Sequence, residues 1–201
     1  MCGRYYVDDE TAREIEKLVR QVDEKMRHES LQAAGRITAG DIYPGKDAPV
    51  LSARDGSLCC RWQHWGFPGF DGKKLIFNAR CESALEKPLF RDSVLNRRIV
   101  VPAAWFYEWN KKKEKSKFYR KDMPVLFMAG FSRHYGDGEH FVILTTAANS
   151  SMEPVHERMP LILEQDEIKE WVYNGAKTEG ILKKIPCLLE RKTNYEQMSL
   201  F

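Results

Sequence analysis

Between Asp8 and Arg27 the residues Ile15, Leu18, Val19, Val22 and Met26 recur at three- and four-residue steps. That spacing predicts one helix with a single apolar face. Asp8 or Asp9 stands where an N-cap belongs, with acidic residues favourable in the first turn. Gly35, Gly40, Pro44 and Gly45 then mark a loop. The stretch PVLSARDGSLCCRWQHWGF reads as a hairpin, two short strands around the turn dipeptide Asp55-Gly56. PGFDGKK is a second loop, ending at the strand-like LIFNAR, and CESALEKPLF and RDSVLN read as short helical pieces.

The second half changes period. RRIVVPAAWFYEW is strongly β-prone with a break at Pro102, and NKKKEKSK reads as a charged, solvated hairpin tip. KFYR, VLFMAGFSRHY and HFVILTTAAN supply three further strands. A helix is expected over about residues 166–173, followed by an irregular tail. Helices and strands intermix through hairpin-length connections, which favours an antiparallel-rich α+β fold over a doubly wound parallel sheet. With no internal repeat and no linker, a single domain over residues 1–201 is expected.

Composition narrows this picture only slightly. The chain has 201 residues, 43% apolar and 30% charged, which is enough for one sizeable core and argues against disorder. A net charge of +3 is too weak to imply nucleic acid by itself. No apolar run approaches the roughly 20 residues of a membrane span. Asp8, Asp9 and Glu10 interrupt any secretory signal, so a cytoplasmic protein without a membrane partner is expected. Five cysteines lack CxxC spacing, and no HxxxH pattern accompanies them, so a metal role is not expected. The expectation is reduced, mostly buried thiols, with Cys2 set apart by its position.

Four stretches carry candidate chemistry. Cys2-Gly3-Arg4 opens the chain behind Met1, which aminopeptidases remove when the second side chain is small. Removal would leave an α-amine and a thiol on one residue. In FNAR, Asn78 and Arg80 follow an apolar run; a helix cap and a surface ion pair would explain them equally well. In WFYEW, Glu108 lies among four aromatics. If it is desolvated there, its protonated form is favoured and it becomes a usable acid or base. The alternative is a solvent-facing glutamate whose neighbours face the core. TTAANSSMEPVHERMP brings Thr145, Asn149, His156 and Arg158 to the end of a strand and its loop.

MCGR, then NAR with an acidic residue two positions on, then P..WFYEW, then TT.AN leading to H.RMP, occur in that order. In this the chain resembles the SRAP (SOS response-associated peptidase) family, whose members process abasic sites in single-stranded DNA. The resemblance implies an α+β fold with a barrel-like β core flanked by helices, a basic DNA groove, and loss of Met1 to make Cys2 the reactive terminus. It implies Cys2 as nucleophile, Asn78 as its positioning partner, Glu108 as acid/base and His156 as a second proton-transfer group. Arg4, Arg80 and Arg158 match positions that hold phosphates, and Trp65-Gly66 matches a segment that packs against bases. From residue type alone, Trp65, Phe67 and Trp109 could supply the aromatic surfaces that unstacked bases need. The chain departs from the family at GFPGFDGKK and at Ser83, where threonine is commoner.

The chemistry that follows is an aldehyde trap. The amine attacks the ring-opened sugar and the thiol closes a thiazolidine ring; if the ring does not close, the imine permits strand cleavage. The reading expects a monomer acting on single-stranded DNA that contains abasic sites, without a cofactor and within a DNA-damage response. Two rivals remain: an N-terminal-nucleophile hydrolase, and a non-catalytic single-strand-binding module.

Overall fold

The computed structural model describes residues 2–19, 24–69 and 74–193. Strand β1 (Tyr5–Val7) leads into helices α1 (Asp9–Val19) and α2 (Glu24–Ala34). The predicted single helix is therefore two, and its residues 20–23, Val22 included, and the side chain of Met26 lie outside the described residues. Asp8 is the cap: its Oδ1 accepts from both the Thr11 amide and the Thr11 hydroxyl at 2.9 Å, while its own amide donates to Thr11 Oγ1 at 3.3 Å. Ile15 and Val19 are the buried stripe of α1.

Next come β2 (Gly40–Ile42), β3 (Asp47–Arg54), β4 (Ser57–Trp65), β5 (Phe67–Pro68), β6 (Leu75–Ile76) and β7 (Asn78–Arg80). The β3–β4 hairpin is the one the sequence predicts: Asp55 and Gly56 both take positive φ, 48° and 76°, as a two-residue hairpin turn demands. Of the second predicted loop, residues 70–73 lie outside the described residues. Two short helices, α3 (Cys81–Ala84) and α4 (Pro88–Asn96), precede β8 (Arg98–Ala103) and β9 (Trp105–Trp109). Pro102 does not break β8. It pairs opposite Phe127 inside the strand, and the direction changes at Ala104, because a proline's fixed φ is tolerated where its missing donor is not needed.

The chain continues through β10 (Lys115–Tyr119), β11 (Leu126–Tyr135), β12 (Gly138–Ala147), β13 (Arg158–Pro160), β14 (Ile162–Leu163), α5 (Glu167–Tyr173), α6 (Thr178–Leu182) and β15 (Glu190–Thr193). Residues 194–201 of the predicted tail lie outside the described residues, and β15 occupies its beginning.

Two sheets organise these elements. In the larger, β12, β4, β3, β8 and β11 pair in a ring, and the β11–β12 ladder closes it into a five-stranded barrel. The pairing is antiparallel except where β12 runs parallel to β4 and β7. Closure is tight at Gly130, where a Cβ would lie 2.5 Å from the Val142 carbonyl oxygen. Val100, Val101, Phe127, Phe131, Phe141 and Ile143 are among the enclosed core side chains. The smaller sheet has the order β15-β10-β9-β1-β2. Among the described residues no helix is long and apolar enough to cross a membrane.

Candidate active site

The small sheet delivers the start of the chain to the site. Tyr5 pairs with Phe106 and Tyr6 with Trp105, and the Tyr107 amide donates to the Arg4 carbonyl at 2.9 Å. Cys2 is 1% exposed, and its Sγ faces the Arg4 carbonyl at 3.9 Å. Burial first, and the Glu108 carboxylate second, push its thiol from the ordinary 9.0 up to about 12. The thiol is therefore neutral at physiological pH.

Asn78 arrives from β7, aligned beside Ile143 of the barrel by the parallel ladder. Its Nδ2 donates to the Cys2 carbonyl at 2.8 Å, so its side chain holds the Cys2 backbone and does not cap a helix. Glu108, 4% exposed, points inward with Phe106, while Trp105, Tyr107 and Trp109 form the partly exposed face of β9. The alternative in which the aromatics fill the core and Glu108 meets solvent is thus inverted. Its Oε1 accepts from the Trp109 amide at 3.3 Å.

His156 sits in the loop before β13. Its Nδ1 accepts from the Arg158 amide at 2.9 Å, so a neutral ring carries its proton on Nε2. His156 and Trp109 line one cleft of about 810 Å³ with Asn110, Lys111 and Val155. A larger cleft, about 1060 Å³, lies along Cys81, Asn149, Ile185 and Leu188 and touches none of Cys2, Asn78, Glu108 or His156.

Buried thiols make the fold sensitive to alkali. Burial pushes Cys60 and Cys81 as well as Cys2 to about 12, and pushes the Tyr5 phenol well above its usual range. The unfolded chain gives up these protons from about pH 9 while the folded chain keeps them, so folding stability is intact below pH 9 and falls as pH rises toward 12. Urea midpoints measured from pH 8 to 11 are expected to decline, and Cys60→Ala to flatten the decline.

A family model described as "SOS response associated peptidase (SRAP)" matches residues 1–199. The chain belongs to the SRAP family. Among curated relatives, "Abasic site processing protein YedK" of Escherichia coli is 29% identical over 86% of this chain and 79% of that protein. "Abasic site processing protein YoaM" of Bacillus subtilis is 36% identical over half of this chain and 48% of its own length. A crystal structure of a Bacteroides thetaiotaomicron protein shares the fold, with a TM-score of 0.77 at 22% identity, covering 98% of this chain and 95% of that one.

Within this SRAP fold the predicted DNA-contacting residues divide. Arg80 is exposed on β7, on the same face as Asn78. Arg158 is engaged: its two terminal nitrogens hold both oxygens of Glu82 at 2.7 and 2.8 Å, and one also donates to the Thr145 carbonyl. This guanidinium keeps the Glu82 carboxyl below the usual carboxylate range. Arg4 is ion-paired with Asp41, and its guanidinium lies between the rings of Tyr43 and Tyr107, 5.0 and 4.9 Å away. Trp109 is partly exposed.

Trp65 and Phe67 are a correction: both are 0% exposed. Trp65 donates from Nε1 to the Phe77 carbonyl and stacks on Phe141, while Phe67 packs on Phe90, Phe131 and Tyr135. Neither presents a face to a base, because β4 and β5 turn those positions into the core. Asn149 is a loop staple, donating to the Pro186 and Cys187 carbonyls at 3.0 and 2.8 Å. Sequence reasoning missed Asp41 and Tyr43. The partnership of β2 with β1 brings them to Arg4 across nearly 40 residues of chain, and no local pattern announces it.

Proposed function

We propose that this chain processes abasic sites in single-stranded DNA, through a covalent adduct formed by Cys2 once Met1 has been removed. The observation that carries the reading is the convergence on Cys2: Asn78 grips its carbonyl at 2.8 Å, and the buried Glu108 carboxylate acts electrostatically on its sulfur. The names of the E. coli and B. subtilis relatives, both abasic site processing proteins, support the same reading.

The mature α-amine, with an ordinary pKa of about 7.7–8.0, is substantially neutral at physiological pH and attacks C1′ of the ring-opened sugar. Loss of water gives the imine. The Cys2 thiol then adds to the imine carbon: a C–S bond forms, the C=N bond becomes single, and the thiol proton ends on nitrogen. The ring closes within one residue, so the step gains from high effective molarity. A buried thiol needs a proton acceptor at the moment of addition, and Glu108 is the carboxylate that acts on it. His156 is assigned the proton transfers of the imine stage. An imine that does not close makes the neighbouring proton labile and permits strand cleavage, the lyase branch. Removal of Met1 by the chain itself, and a place in the response to DNA damage, belong to the same proposal.

The test is direct. Protein shown by intact mass to lack Met1 is incubated with a single-stranded oligonucleotide bearing one abasic site and run on a denaturing gel. A heat-stable shifted band is expected, and its absence would overturn the proposal. Glu108→Gln keeps the shape of the site and removes the proton acceptor. Adduct formation should slow by roughly 10²-fold, the lower end of what a positioned acid or base contributes. An unchanged rate in stopped time courses would return Glu108 to a packing role.

A further inference from the structure

The outer face of the small sheet carries a layer of rings and cations that the adduct chemistry does not use. Strand alternation puts Trp105, Tyr107 and Trp109 of β9 on that face, with Lys115 and Lys117 beside them on β10. Tyr6 of β1 stacks on Trp105 at 4.1 Å with the planes 5° apart. Lys117 Nζ lies 3.2 Å from the centroid of the Trp105 ring, and Lys115 Nζ lies 4.7 Å from that of Tyr107. Successive rings of β9 stand 6.5 Å apart at both steps. Lys192 of β15 pairs directly opposite Lys117 and extends the basic row.

Lys115 and Lys117 thus leave the solvated tip to which the sequence assigns them. Lys111, Lys112 and Lys113 remain exposed at the turn. The aromatic faces hold both amines in place by cation–π attraction, so little side-chain entropy is lost when an anion arrives. Asp41 is taken by Arg4, Asp8 acts on Lys117 from β1's end, and Glu190 lies opposite Tyr119. Burial and the like charge of Lys192 lower the pKa of Lys117, a repulsion that a bound anion would relieve.

We infer that this ring-and-lysine face of β9, β10 and β15 is a sequence-independent track for the single strand flanking the reactive site, its amines taking phosphates and the partly exposed Trp109 ring taking a base or sugar surface. The inference rests on the reading that this chain acts on single-stranded DNA and extends it beyond the abasic nucleotide. The track is continuous with the site through two residues: Arg4, two positions from Cys2, and Trp109, which borders the His156 cleft. Interleaved rings and cations distinguish a nucleic-acid strand from an acidic peptide, which would use the charge but leave the rings idle.

The test uses a labelled, undamaged oligothymidylate and fluorescence anisotropy across a salt series. K115A/K117A/K192A is expected to weaken binding about tenfold or more. Each phosphate contact on a single strand contributes about 0.7 to the slope of log affinity against log salt, so the slope should shrink by about 2. Unchanged affinity and slope would overturn the inference. So would polyglutamate displacing the probe as well as unlabelled oligothymidylate does. Adduct yield on a short abasic oligonucleotide at saturating concentration is measured alongside for both proteins. No adduct from either protein would sink the adduct proposal, while the track would still stand or fall on the anisotropy.

Discussion

Replacing Cys2 by alanine is expected to abolish the heat-stable DNA adduct while leaving a weaker species that borohydride traps. In the proposed chemistry the two nucleophiles of a mature Cys2 do different work, and the substitution removes only one. The amine survives, so the imine forms; without sulfur it stays reversible and is lost on heating. Intramolecular closure benefits from effective molarities of order 10⁵–10⁸ M, so the stable product should fall by roughly 10³-fold or more. The fold should tolerate the change. The side chain is small, its approach to the Arg4 carbonyl is a long 3.9 Å, and Asn78 holds Cys2 through its backbone. Cys2→Ser sharpens the result: it also forms the imine, but its oxygen closes a far less stable ring. Gel quantification with and without borohydride reads both outcomes. An alanine variant that crosslinks as stably as the wild type would end the thiazolidine mechanism.

Trp65→Ala is expected to cost about 3–5 kcal/mol of folding stability, as large-to-small core substitutions of aromatics do. The indole is fully enclosed, stacked on Phe141 at 6.2 Å and set edge-on to Phe77 at 6.0 Å. Its Nε1 hydrogen bond to the Phe77 carbonyl, 3.0 Å long, lies one residue before Asn78. Losing the ring therefore opens a cavity and frees the backbone that carries the residue holding Cys2. Trp65→Phe should keep most of the packing and lose the hydrogen bond, for about 1–2 kcal/mol. Urea unfolding measures both, and DNA affinity of the folded phenylalanine variant should stay within about twofold of wild type. A tryptophan that stacked on bases would give the reverse: near-normal stability with lost affinity.

Local rules carried far where the pattern was local. The Asp55-Gly56 hairpin, the cap at Asp8 and the strands over RRIVV, VLFMAGF and HFVILTT follow from turn chemistry, capping and β-propensity among near neighbours. The candidate residues were named from equally local features, since a cysteine behind Met1 and a carboxylate among aromatics are defined within a few residues of chain. Pro102 misled because a proline forbids a donor, and whether that donor is needed depends on the partner strand. Trp65 and Phe67 misled for a related reason: a tryptophan beside a glycine suits a base platform and a core equally, and only the closing of the barrel chooses between them.

The sequence by itself determined an antiparallel-rich α+β chain and offered Cys2, Asn78, Glu108 and His156 as candidates. Only the tertiary structure decided that Asn78 Nδ2 meets the Cys2 carbonyl, that Glu108 turns inward while Trp105, Tyr107 and Trp109 turn outward, and that Arg4 and Arg158 answer to Asp41 and Glu82. Each of these is a pairing across tens of residues, set by strand register and by which face a sheet buries. A one-residue slip in register would reverse every one of those faces, and register is fixed by the packing of the whole core.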